Sequence, residues 1–238
     1  MLKDAIQYLV SLKDNKTYTI NGETYSDREL HRIPRYVPHP FSLGVSGLDS
    51  IVKLVRNELD MFENLPVFIR VDDARTVSVF TTYDDVMRRD GLYTAKCDVP
   101  GFRDGFREYE KAIIELRSKF APGDGVDYLL DLLSRISKDN GVTTRDNGVS
   151  QEVEARQGVS LKALVQVKPR VALRPFRTFL EVEQPESEFL LRLDDDGNVG
   201  LFEADGGMWQ QTAKASITAY FEDKLAQEVK DGKIVVMM

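Results

Sequence analysis

Apolar residues return every three to four positions in some stretches of this chain and alternate with polar ones in others, so helices and strands are placed before any chemistry is considered. Leu2, Ala5, Ile6, Leu9 and Val10 follow helical spacing, and "TYTINGETY" then sets Asn21-Gly22 between two β-prone runs. That dipeptide tolerates positive φ, so a hairpin is predicted. The segment "HRIPRYVPHPFSLG" carries Pro34, Pro38 and Pro40, which lack backbone donors, and it reads as an extended connector. Leu48, Ile51, Val52, Val55, Leu59 and Phe62 form the clearest amphipathic helix, with Ser46 and Asp49 as a capping pair at its start.

"VFIRV" and "TVSVF" flank the polar turn "DDAR" and predict a second hairpin, followed by a strand over Tyr93 to Cys97. Phe106, Tyr109, Ile113, Leu116 and Phe120 trace a helical stripe, although "AIIEL" is also compatible with a strand. Pro122 and Gly123 end it. Asp124 then opens a helix whose predicted buried side is Val126, Leu129, Leu130, Leu133 and Ile136. From Val142 to Leu201 the pattern is β-rich, with turns at Asn147-Gly148 and Asp196-Gly197. A last helix spans about Met208 to Val229, and "KIVVMM" is suited to a final strand. The predicted class is α+β: mainly antiparallel sheets of hairpins with about four to five amphipathic helices. The predicted division is residues 1–40, holding the first helix, hairpin and proline-rich connector, and a main domain over 41–238.

Composition narrows the class. Hydrophobic residues make up 42% and charged residues 30% of 238, as expected for a globular chain with a sizeable core. The formal net charge of −7 disfavours binding nucleic acid by bulk attraction, while leaving room for a local basic patch. Cys97 is the single cysteine, so no intrachain disulfide forms, and a reducing cytoplasm is the expected compartment. The first fifteen residues read as a helix rather than a secretory leader, and no apolar run reaches membrane-spanning length.

Candidate chemistry centres on "RPFRTFLEVEQPESEFLLRL", Arg174 to Leu193, read as a strand pair. Lys162, Lys168, Arg170, Arg174 and Arg177 precede Phe179 with no acidic residue among them, and four glutamates follow between Glu181 and Glu188. The bland reading is internal pairing of these charges; the functional one is a binding surface made of Lys168, Arg170, Arg174, Arg177, Phe179 and Glu181. In the strand reading Phe176, Thr178, Leu180 and Val182 face a core, and Arg177, Phe179, Glu181 and Glu183 share an interface-like outer face. "DDDGN", Asp194 to Asn198, departs from the calcium-loop frame and is expected to be a tight turn. "EADGGMW" lacks the phosphate-loop lysine, and Asp205 is expected to cap the helix behind it. His31 and His39 do not make a zinc site by themselves, and Cys97 has no base at motif spacing. No catalytic residue, metal site or cofactor is expected.

Taken in order, "FSLGVSGLDSIVKLVRNE", "YEKAIIELRSKF", "DNGVSQEVEARQGV", "RPFRTFLEVEQPESEFLLRL" and "LFEADGGMW" make the chain resemble the YfdQ-like group of bacteriophage and prophage proteins, which carries a domain of unknown function. The resemblance covers roughly Phe41 to Leu225. It implies a viral origin and a bacterial host cytoplasm, and it carries no residue roles. The expected function is that of a nonstructural phage protein acting by binding, as a homo-oligomer, on host machinery, defence signalling or phage DNA metabolism. The alternatives are a nucleic-acid-binding protein of recombination or replication using the basic stripe, a self-assembling ring or shell protein, and, ranked last, a metal-dependent nuclease using Asp72, Asp73 or the later carboxylates. Expected partners are further copies of the chain and a host or phage protein, with nucleic acid reached through the stripe and no membrane.

Overall fold

The structure is a computed structural model that describes residues 2–11, 16–21, 23–26, 40–62, 65–84, 87–135, 144–146, 151–157, 161–194 and 196–238. Contacts divide the chain into units 1–39 and 40–238. In the first unit, helix α1 (Leu2–Ser11) precedes the antiparallel hairpin of β1 (Thr17–Ile20) and β2 (Glu23–Ser26), with Asn21 at φ 53 in its turn. The apolar positions of α1 are exposed among the described residues, Leu2 by 80%. His31, His39 and most of the proline-rich connector lie outside the described residues.

The second unit holds two layered cores. Its first is a five-stranded sheet in the order β14-β4-β5-β6-β3. The strands are β3 (Leu43–Val45), β4 (Val67–Asp73), β5 (Thr76–Thr81), β6 (Gly91–Lys96) and β14 (Ile234–Met237). Val67, Ile69 and Val71 alternate inward on β4, as do Val77 and Val79 on β5, and all are buried. Helices α2 (Leu48–Glu58) and α5 (Met208–Lys224) close this inner face with Leu48, Ile51, Val52 and Val55, and with Ile217 and Phe221. Each such side chain contributes about 1.5–3 kcal/mol on burial, which is why the period-2 and period-3.6 stripes meet here. The central strands pair antiparallel, but both edge strands run parallel, β14 to β4 and β3 to β6. Parallel neighbours need a crossover, and for β14 it follows α5 and α6 (Ala226–Lys230).

The second core lies on a four-stranded antiparallel sheet in the order β11-β12-β13-β7. Its strands are β7 (Gly105–Arg107), β11 (Arg170–Leu173), β12 (Ser187–Leu193) and β13 (Val199–Glu203). Helices α3 (Tyr109–Ser118) and α4 (Asp124–Arg135) pack on it through Leu116, Leu129, Leu132 and Leu133, against Phe189, Leu191 and Leu201. Gly125 is where α4 touches the sheet backbone: a Cβ there would stand 2.0 Å from the Ala172 carbonyl oxygen. Along the chain between α4 and β11, β8 (Thr144–Asp146), β9 (Gln151–Gln157) and β10 (Leu161–Val167) make a separate three-stranded antiparallel sheet. The Gln151 side chain ties it down, donating to the Leu193 carbonyl and accepting the Leu193 N–H, each at 2.9 Å.

The α+β class is as predicted, with six α-helices among the described residues, the sixth being a five-residue continuation of α5 past Leu225. Four local expectations change. Phe106 belongs to β7, not to the following helix, and Leu132 replaces the half-buried Leu130 on the buried side of α4. Ile136 and Asn147-Gly148 lie outside the described residues. Ser46 does not cap α2: the N-cap is Gly47, and the Leu48 N–H donates to Glu181 Oε1 at 2.7 Å. Arg174 to Glu186 is an irregular loop, and only Ser187 to Leu193 of the expected strand pair is strand.

Candidate functional site

The loop from Arg174 to Glu186 leaves the second sheet and enters the first core. Gln184 holds its shape: the side-chain oxygen accepts the N–H groups of Arg177 (2.9 Å) and Thr178 (3.2 Å), and the amide donates to the Phe179 carbonyl at 3.0 Å. Phe179, 1% exposed, then packs in the first core, while Leu180 points out at 67%. The strand-based assignment of faces is reversed at Arg177, Phe179 and Leu180, because a loop turned by Gln184 has no period of two, while Thr178 is buried, Val182 packs on the first core and Glu183 is exposed as expected. Thr178 Oγ1 donates to the Ala74 carbonyl in the β4–β5 turn, fastening the loop to the first sheet.

Arg177 is buried at the same joint, 4% exposed. Its guanidinium donates to Glu203 at the end of β13, to Ser187 Oγ and, at 3.3 Å, to the Pro185 carbonyl. Its central carbon lies 4.1 Å from the Trp209 ring centre. Ser187 in turn donates to Asp205, whose carboxylate accepts the N–H groups of Gly207 (2.9 Å) and Trp209 (3.2 Å). Asp205 therefore supplies the acceptor at the start of α5, as its sequence position predicted, although the N-cap residue itself is Gly207 at φ 83. Burial alone pushes the Asp205 carboxyl up, but the Ser187 hydroxyl, the two N–H groups and Arg177 outweigh it and hold it below the usual range. Burial pulls Arg177 down, opposed by Glu203, Asp205 and Asp104.

Beside this joint lies an open cleft of about 580 Å³, lined among others by Asp73, Lys96, Cys97, Asp104, Glu203 and Trp209. Its lining carries three cations, Arg75, Lys96 and Arg177, and three carboxylates, Asp73, Asp104 and Glu203. Arg75 is committed to the carbonyls of Cys97 and Val99, and Asp73 accepts the Arg75 N–H at 2.6 Å. Asp72 accepts from Arg70 and Ser78. Among the described residues no three His, Cys, Asp or Glu side chains are grouped to hold a metal ion. The "DDDGN" segment is a turn in which Asp194 accepts the N–H groups of Asp196 and Asn198 at 3.1 and 2.7 Å.

The six residues of the expected binding surface do not form one face. Lys168 Nζ sits 4.6 Å from the Tyr128 ring centre, Arg170 pairs with Glu188 at 2.7 Å, and Arg174 pairs with Glu183 at 3.0 Å and with the Pro122 carbonyl at 2.8 Å. Arg177 and Phe179 are buried, and Glu181 caps α2. The glutamates answer the arginines, and Glu203 from outside the run takes the buried one.

A second surface was not singled out from the sequence. On the outer side of the five-stranded sheet, Phe68 and Phe80 stand opposite each other with ring centres 5.6 Å apart and planes within 10°. Arg89 lies over both rings and over Tyr83, at 4.9, 5.4 and 4.2 Å. The signal was present in the alternation, since Phe68 and Phe80 fall on the polar side of "VFIRV" and "TVSVF", where a soluble strand ordinarily carries polar residues. Compared with known proteins, the chain matches no family profile, no curated protein and no solved structure. No helix among the described residues is long and apolar enough to cross a membrane.

Proposed function

We propose that this chain is a nonstructural bacteriophage protein that acts by binding, as a homo-oligomer, on host machinery, defence signalling or phage DNA metabolism. The phage assignment rests on the segments that resemble the YfdQ-like group. The binding assignment rests on one observation: Phe68, Phe80, Tyr83 and Arg89 are gathered on the outer sheet face instead of in either core. Aromatic and arginine residues are the types enriched where proteins meet. The polar groups around Arg177, its buried Nε excepted, are in contrast engaged with one another and join the two cores. Light scattering on the purified chain, over the widest accessible concentration range, tests the reading. A defined oligomer is expected, and a monomer at every concentration refutes self-association.

Nucleic-acid binding is a second reading with a specific observation behind it, because aromatic rings beside arginine on an open sheet also suit base stacking. Salt-dependent retention of a single-stranded oligonucleotide, lost on Phe80→Ala, is the expected result under that reading.

A further inference from the structure

We propose that the outer face of the five-stranded sheet is the docking surface for a second copy of this chain, the two sheets meeting face to face. This rests on the self-associating reading above and assigns it a place. The strand registers arrange the face in rows across the sheet. Val235, Phe68, Phe80 and Gly91 form one row, and Met237, Arg70, Ser78, Thr94 and Gly44 form the next. The first row is apolar, and the second is polar at Arg70, Ser78 and Thr94. Arg89 and Tyr83 rise beside the rings, Tyr83 52% exposed.

Helices α2 and α5 cover the opposite side, and a Cβ added at Gly44 or Gly91 would meet nothing within 4 Å. The floor between the rings and the β3 edge is therefore open among the described residues. Five strands about 4.8 Å apart, six or seven residues long at the centre and three or four at the edges, give a footprint of about 400 Å² before side-chain relief. That is about half of what each partner contributes to a standard interface, about 800 Å², before the side chains of the face and its rim are added.

Charge decides between the candidate occupants. The face and its rim carry Arg70, Arg88, Arg89 and Lys96 together with Asp72, Asp84, Asp90 and Asp98, with Arg70 paired to Asp72 and Arg88 to Asp84. A strand of nucleic acid requires a surplus of positive charge, and neither this face nor a chain of net charge −7 provides one. A second copy requires a face that complements itself. Under a two-fold axis each residue meets the partner's surface in both directions, so equal numbers of cations and carboxylates beside aromatic rings satisfy that demand. Sheets packed this way lie about 10 Å apart with their side chains interleaved.

The test uses the full chain and sedimentation equilibrium. Gly91→Arg and Gly44→Arg place a long side chain on the open floor, the Cβ of each meeting nothing within 4 Å, and Phe80→Ser removes a ring from the first row. Arg117→Glu, on the exposed side of α3, is the control. Each face variant is expected to raise the dimer dissociation constant at least about 30-fold, with the far-ultraviolet circular dichroism of the glycine variants unchanged and the control behaving as wild type. If the wild type associates and all three face variants associate equally well, this surface is wrong while the self-associating reading stands. If the wild type is monomeric, both fall. Salt-dependent oligonucleotide binding by a monomer, abolished by Phe80→Ser, also overturns the proposal and names nucleic acid as the occupant.

Discussion

Replacing Arg177 by alanine is expected to cost about 3–5 kcal/mol of folding stability, the range for breaking a buried ion pair by removing one partner. The contributions can be read from the joint. Glu203 loses its cation, Ser187 and the Pro185 carbonyl lose a donor, and Trp209 loses the guanidinium at 4.1 Å from its ring centre. Glu203 is 23% exposed, so water recovers part of its solvation and the lower end of the range is favoured. Urea unfolding is the assay, followed by the fluorescence of Trp209, the single tryptophan of the chain, and in parallel by circular dichroism. With an m-value of about 2–3 kcal/mol/M, the midpoint is expected to fall by about 1 M or more. Arg177→Met combined with Glu203→Leu is expected to recover part of the loss, since an apolar pair of similar volume replaces a desolvated ionic one at little cost. A loss under about 1 kcal/mol for Arg177→Ala, or no recovery in the double variant, would show that the guanidinium does not hold the joint.

Gly125→Ala drives a methyl group to 2.0 Å from the Ala172 carbonyl oxygen, so α4 must move off β11, and a loss of about 3 kcal/mol or more is expected in the same unfolding assay. Glu181→Ala leaves the Leu48 N–H without its acceptor and is expected to cost about 1 kcal/mol, whereas Glu181→Gln, which keeps an oxygen in place, is expected to cost less. Asp205 and Glu115 both have carboxyls held low, Glu115 because Lys119 and Arg107 outweigh the upward push of burial. Their contribution is complete above about pH 5 and is lost as pH falls through the ordinary carboxylate range to their lowered values; Asp205→Asn should flatten that acid limb of the stability profile. At the alkaline end, burial, followed by hydrogen bonds to Glu58 and Asp49, raises Tyr93 and Tyr220, so stability should fall as pH rises beyond about 10, and Tyr93→Phe should reduce the slope.

Much of the fold is written locally. The stripe on α2, the alternation on β4 and β5, the hairpin turn at Asp194 to Asn198 and the role of Asp205 at the start of α5 each follow from residues within one or two turns of each other, and each is found. A periodic pattern is a local property, so a sequence determines it. The parallel edge strands were not legible, because β14 finds β4 across most of the chain and no hairpin signal specifies such a partner.

The candidate sites divide along the same line. By its sequence the protein was an α+β chain of hairpins and amphipathic helices, with Phe68 and Phe80 already on the polar side of their strands. Only tertiary structure brought those rings opposite each other under Arg89. It also dispersed the basic stripe, since a hydrogen-bonding side chain takes whichever acceptor the fold brings within reach. For Arg177 that acceptor is Glu203 and for the Leu48 N–H it is Glu181, 133 residues away, and neither distance along the chain leaves a trace in the local pattern.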